Sequence, residues 1–117
     1  MMSEYKELHA NAEWEQAWEN STEKPVLLFK HSTTCPISAE AYRQYQSFLE
    51  EADHNLDNYL VKVIEDRSVS NQIAEVTDIK HESPQIFLIQ DKKVLWHTSH
   101  SKITASSINE AVRGAVK

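Results

Sequence analysis

The chain has 117 residues, 40% of them hydrophobic, which suits one domain with a real core. Its formal charge of −6 disfavours duplex nucleic acid as a partner, and no apolar run nears the roughly 20 residues that span a bilayer. A single cysteine rules out an internal disulfide and fits a reduced, cytoplasmic setting, and Met1-Met2-Ser3-Glu4-Tyr5-Lys6-Glu7 lacks the apolar stretch of a secretory signal.

Asn11 is placed to cap a first helix that carries Trp14 and Trp18 on one face. Pro25 leads into a strand from Val26 to about Lys30, apolar on both faces as at the centre of a parallel or mixed sheet. A second helix begins near Pro36, with Ile37, Ala41, Tyr45, Phe48 and Ala52 on one stripe and Arg43, Gln46 and Glu50 outside it. Tyr59 to Ile64 reads as the next strand, and Val69 to Val76 as a short helix with Val69, Ile73 and Val76 inward. Ile86 to Ile89 is a third strand, Gln90-Asp91-Lys92-Lys93 a polar turn, and Val94-Leu95-Trp96 a returning fourth strand.

Ile108, Ala111, Val112, Ala115 and Val116 form the stripe of a final helix. Ser107 with Glu110 makes one capping box for it, and Thr104 is an alternative start one turn earlier. The expected fold class is α/β in the order α-β-α-β-α-β-β-α, a central mixed four-stranded sheet flanked by helices. Gly114 is the only glycine, so there is no glycine-rich phosphate loop.

Cys35 lies in Thr34-Cys35-Pro36-Ile37-Ser38, where a strand gives way to a helix. Thiol–disulfide exchange is carried out by the thiolate. The first turn of a helix presents unpaired backbone N–H groups and the positive end of the dipole. Pro36 suits the first helical position, because it has no N–H to lose and its φ is already helical. Cys35 is then at the N-cap, where a thiolate accepts those donors. Lys30 and His31 at the strand end add positive charge, and Thr33, Thr34 and Ser38 are candidate donors to sulfur. A buried, inert cysteine is the competing structural explanation, but polar neighbours surround this one. Ser38 stands where the second cysteine of a Cys-x-x-Cys motif would be, so an external thiol must complete each cycle.

Ser83-Pro84-Gln85 precedes the strand Ile86-Phe87-Leu88-Ile89. A proline opening a central strand removes a ladder hydrogen bond. Either it merely starts the strand in trans, or a cis bond at Ser83–Pro84 faces Cys35 and leaves the Ser83 backbone free to pair with an extended substrate.

Together, Lys30-His31-Ser32-Thr33-Thr34-Cys35-Pro36-Ile37-Ser38 and Ser83-Pro84-Gln85-Ile86-Phe87 resemble the thioredoxin-like superfamily, and more closely the monothiol bacilliredoxin family, whose motif reads Thr-Cys-Pro-Ile-Ser. The resemblance covers nearly the whole chain. It implies that Cys35 attacks a mixed disulfide and that Pro84 is the cis-proline of the substrate groove. It also implies that bacillithiol, a cysteine–glucosamine–malate thiol, is the co-substrate, with no tightly bound cofactor. The partners implied are S-bacillithiolated proteins and a low-molecular-weight thiol, met by a cytoplasmic monomer.

The Gly-Gly turn and acidic residue with which glutaredoxins hold glutathione are replaced here by Thr98-Ser99-His100-Ser101-Lys102. Malate carries two carboxylates, so Lys102, Lys30 and His100 are the candidate anion contacts; a solvated surface role is the plainer alternative for each. His97 and His100 do not amount to a metal site without further ligands, and none is expected. Trp14, Trp18 and Trp96 read as core anchors. Two other functions compete with the exchange enzyme. One is a thiol-dependent iron–sulfur cluster carrier, as for one-thiol glutaredoxins with Cys-Gly-Phe-Ser. The other is a non-catalytic, redox-sensing binding domain.

Overall fold

The computed structural model describes residues 5–51 and 56–115. Five strands form one sheet in the order β1-β3-β2-β4-β5: β1 (Lys6–Glu7), β2 (Val26–His31), β3 (Asp57–Lys62), β4 (Gln85–Gln90) and β5 (Lys93–Ser99). β1 and β2 run parallel to β3, β4 runs antiparallel to β2, and β5 closes a hairpin with β4. The helices are α1 (Asn11–Asn20), α2 (Pro36–Glu51), α3 (Arg67–Thr77) and α4 (Ala105–Ala115). The α/β expectation holds, with one correction: the sheet has five strands, not four. β1 was missed because two residues are too few to show alternation. It is held by its pairing with Tyr59 and Leu60 and by Leu8 N–H donating to the Leu60 carbonyl at 2.9 Å.

β2 is the middle strand, and its side chains alternate between two cores. Leu27 and Phe29, with Ile86 and Leu88 of β4, face Ala41, Tyr45 and Phe48 of α2 and Ile108 and Val112 of α4. Val26 and Leu28, with Phe87 and Ile89, face Trp14 and Ala17 of α1 and Val69 and Ile73 of α3. Trp14 is fully buried, Trp18 packs against it, and Trp96 packs on the first core, so all three tryptophans anchor packing.

Local signals settle most element ends. α1 starts at Asn11 rather than being capped by it; Ala10 is the N-cap, and the Glu13 carboxylate accepts the Ala10 N–H at 3.1 Å. Asp91 and Lys92 both have positive φ, 54° and 58°, as the tightest β-hairpin turns require. α3 runs one residue beyond the expected end and leaves Val76 exposed rather than inward. The buried stripe of α2 is Ser38, Ala41, Tyr45, Phe48 and Leu49, so Ile37 is not a core residue. Ala52 of the expected stripe and Val116 of the last helix lie outside the described residues. Of the two starts open to α4, the structure takes Thr104. Its Oγ1 accepts the Ser107 N–H at 3.0 Å, and the Ser107 hydroxyl accepts the Thr104 N–H at 3.1 Å.

This reciprocal cap sits where β5 hands over to α4, beside the reactive end of the sheet. Thr104→Ala is expected to lower stability by about 1 kcal/mol, read as a shifted denaturant midpoint with unchanged slope. No shift would mean that α4 is held by its packing alone.

Candidate active site

β2 ends at His31, and four residues later Pro36 opens α2. The link is a tight turn, with Cys35 N–H donating to the Ser32 carbonyl at 3.4 Å. The Cys35 carbonyl already accepts the Ala39 N–H at 3.0 Å, which makes Cys35 the N-cap of α2. Its thiol is free and half-buried, while Thr34 and Pro36 on either side are exposed. A sulfur in this position lies at the positive end of a 16-residue helix dipole.

Ser38 is fully buried, and its hydroxyl is committed to the loop rather than to the sulfur. Its Oγ accepts the Ser32 N–H at 2.9 Å and pairs with His31 Nδ1 at 2.8 Å. The expectation that Ser38 donates to Cys35 is therefore corrected; the first turn of α2 brings its hydroxyl under the loop. His31 is wedged in an aromatic stack, 4.9 Å from the Tyr42 ring and 5.6 Å from Phe29. Burial first, then the Lys62 charge, holds the His31 ring below the usual histidine range, with Glu65 and Glu7 opposing. Thr33 is also engaged elsewhere. Its hydroxyl donates to Glu65 Oε2 at 3.1 Å and ties the reactive loop to the segment after β3. Thr34 pairs with the Ser32 hydroxyl at 3.3 Å.

The Ser83–Pro84 bond is cis. Lys30 pairs with Gln85 across β2 and β4, which sets Pro84 at the end of β4 beside the end of β2. The Pro84 carbonyl accepts the His100 N–H at 3.0 Å, so the turn after β5 is stitched to the Pro84 loop. The Ser83 hydroxyl is buried and has no partner among the described residues.

His100 has a positive φ of 56° and opens a 3-10 turn, His100–Lys102. It stands between two depressions. One, of about 350 Å³, is walled by Pro36, Ile37, Ala41 and Ile103 and is mostly apolar; Ile37 lies 52% exposed in it. The other, of about 370 Å³, is polar and carries Glu82, His97, Thr98, Ser99, Ser101 and Lys102. His100 and Lys102 are both exposed, and His100 Nδ1 lies 4.0 Å from Glu82.

Neither expected cation of β2 lines these depressions: His31 is held neutral in its aromatic stack instead of adding positive charge, and Lys30 lies deeper. Alternation along β2 puts it on the α1–α3 face, fully buried, with Nζ donating to the Ser70 carbonyl at 3.2 Å and pairing with His81 Nδ1 at 3.1 Å. Tyr42, Glu65, His81 and Ile37 are the neighbours that sequence reasoning missed. Only Ile37 had a local signal, an apolar residue in the first turn beside the cysteine. Among the described residues no three His, Cys, Asp or Glu side chains gather as metal ligands, and no helix is long and apolar enough to cross a membrane.

A cysteine capping the helix that follows the central strand, with a proline at the head of the strand paired to it, is the arrangement of a thioredoxin-fold redox protein. The solved structures agree. The chain is 40% identical to a structure described as a candidate oxidoreductase with a thioredoxin fold, with 92% of each chain covered and a TM-score of 0.83. It shares the fold alone with thioredoxin f from spinach chloroplast, at 14% identity, 99% and 96% coverage and a TM-score of 0.75. The same is true of thioredoxin from Trypanosoma brucei brucei, at 9% identity, 99% and 94% coverage and a TM-score of 0.76. The sequence profile of the monothiol bacilliredoxin BrxC family matches residues 6–108. The chain belongs to that family, and its chemistry is that of a thiol–disulfide oxidoreductase.

Two expectations follow from the loop geometry. Ser38→Ala leaves the buried Ser32 N–H without an acceptor, so it is expected to cost about 1–3 kcal/mol of stability. Equal stability of the two proteins by denaturant titration would contradict the pairing. Because the fold favours neutral His31, the stability this gives is complete above the ordinary histidine value of 6.5 and is lost as pH falls through the lowered one. His31→Gln is therefore expected to lose less stability than the parent between neutral and mildly acidic pH. An unchanged loss would show that His31 titrates alike in both states.

Proposed function

We propose that this protein removes bacillithiol from proteins that carry it as a mixed disulfide. Three steps make up the cycle. The Cys35 thiolate attacks the bacillithiol sulfur of the mixed disulfide, and the protein thiolate leaves. Cys35 is then joined to bacillithiol through a new disulfide. A second bacillithiol thiolate attacks the bacillithiol sulfur of that adduct, frees Cys35 and departs as oxidised bacillithiol. Over the cycle, one free bacillithiol is consumed, the protein thiol is released, the mixed disulfide is exchanged for one oxidised bacillithiol, and no tightly bound cofactor takes part.

The observation that carries this reading is the lone, half-buried Cys35 at the N-cap of α2, with Ser38 buried where a resolving cysteine would sit. A one-thiol enzyme must leave its adduct open to a small external thiol, and the exposed Thr34 and Pro36 keep that approach clear. The two depressions at His100 support the division of the substrate. The apolar one beside Ile37 suits a side chain of the modified protein. The polar one, with His100, Lys102 and three hydroxyl side chains, suits the malyl carboxylates and sugar hydroxyls of bacillithiol. The Ser83 backbone, next to the cis bond, is the edge at which the extended partner pairs. The working form in this reading is a cytoplasmic monomer.

The test is turnover of a bacillithiolated protein, followed by mass spectrometry alongside the same protein carrying glutathione or coenzyme A. Cys35→Ser is expected to abolish release, and Ser38→Ala to retain much of it. Lys102→Ala and His100→Ala are expected to raise KM about three- to tenfold for the bacillithiol substrate more than for the glutathione one. Fastest release of glutathione or coenzyme A by the parent protein would reassign the co-substrate.

A further inference from the structure

Beneath the reactive loop, on the sheet face away from α2, lies a part-buried polar contact that the exchange steps do not use, with Lys30 covered and His81 at the surface. Lys30 is fully buried, with no carboxylate beside it among the described residues. Nζ donates to the Ser70 carbonyl at 3.2 Å and to His81 Nδ1 at 3.1 Å, and stands 5.8 Å from the centre of the Phe87 ring. An ammonium without a counter-ion in such a place is costly, and burial pushes its pKa down to about 8. What the contact holds is the segment leading into Pro84, because His81 is three residues before that proline. Gln85, the cross-strand partner of Lys30, holds the same segment. Its Nε2 donates to the Lys80 carbonyl at 3.0 Å, and its Oε1 accepts the Glu82 N–H at 3.3 Å. Two neighbouring side chains on β2 and β4 thus anchor residues 80–82 from below.

We infer that Lys30 and His81 are positioning residues for exchange at Cys35, forming a proton-sensitive latch that sets the Ser83–Pro84 wall of the substrate groove. The inference rests on the reading that Cys35 exchanges disulfides at that wall. For Nζ to donate to Nδ1, that nitrogen must carry a lone pair, so the latched His81 is neutral with its proton on Nε2. A proton on Nδ1 would face the Lys30 ammonium with no bond between them. Burial, then the positive charges of Lys30 and Arg67, lowers the His81 pKa, and Glu82 opposes them. The Ser70 hydroxyl, 3.4 Å from Nδ1, is the remaining polar neighbour. The latch is therefore closed above the lowered His81 value and opens as pH falls through it.

The test pairs steady-state kinetics on a protein mixed disulfide from pH 5 to 8 with an NMR titration of the His81 ring. In the parent protein KM is expected to rise about three- to tenfold on acidification. His81→Gln, whose amide oxygen accepts from Nζ without titrating, is expected to hold KM flat while kcat keeps the parent profile. The His81 ring is expected to titrate below the free histidine value, and to move up in Lys30→Met. Identical KM profiles for the parent and His81→Gln would overturn the latch. So would a ring that titrates at or above the free value in the parent. A parent protein that turns over no mixed disulfide at any pH would instead sink the exchange reading, and the ring titration would still decide whether the latch forms.

Discussion

The reactive end of the molecule depends on where β2 stops and α2 starts, and the buried Ser38 hydroxyl fixes that junction. It accepts the Ser32 N–H that the turn leaves over and braces the His31 ring at 2.8 Å. With these contacts made, the turn delivers Cys35 to the N-cap, with its carbonyl in the helix ladder. A leftover donor buried in the loop would cost about 1–3 kcal/mol, more than the net worth of a typical hydrogen bond. The residue type that deprives the motif of a resolving thiol is thus also what gives the reactive loop its shape.

The sheet divides the labour around that junction. On the α2–α4 face, Phe29, His31, Tyr42 and Tyr45 form a packed aromatic column that supports the loop. On the α1–α3 face, Lys30 and Gln85 support the segment that enters Pro84. Neighbouring residues of one strand therefore serve two walls of the groove, because β alternation sends them to opposite faces. The third wall, the turn at His100, is bound to the second through the Pro84 carbonyl. A one-residue slip between β2 and β4 would displace all three walls together.

The elements that a local pattern specifies were legible in the sequence. The apolar Val26–Lys30 run, the Cys-Pro helix start, the turn at Asp91 and Lys92 and the Ile108, Ala111 and Val112 part of the α4 stripe all appear where their chemistry placed them. β1 was not, since its two residues are strand only because Tyr59 and Leu60 lie beside them. Ile37 and Ala41 have helical spacing, yet the packing of α4 and the His100 turn leaves Ile37 in the groove. Lys30 shows the other limit. Proximity to Cys35 in sequence suggested a contact, and alternation along β2 instead sent the side chain to a histidine 51 positions away. Partners that far apart carry no local signature. The cis bond at Pro84 had a positional reason in the sequence, while the use of its carbonyl by His100 had none.

The most direct measurement of the central claim is a single turnover. Reduced protein is mixed with an equal amount of a bacillithiolated protein, quenched with acid and followed by intact mass and peptide mapping. The account predicts that one bacillithiol leaves the substrate and appears on Cys35 before any oxidised bacillithiol is formed. A substrate that keeps its bacillithiol, or that loses it while Cys35 stays unmodified throughout, would contradict the assignment of Cys35 as the attacking thiol.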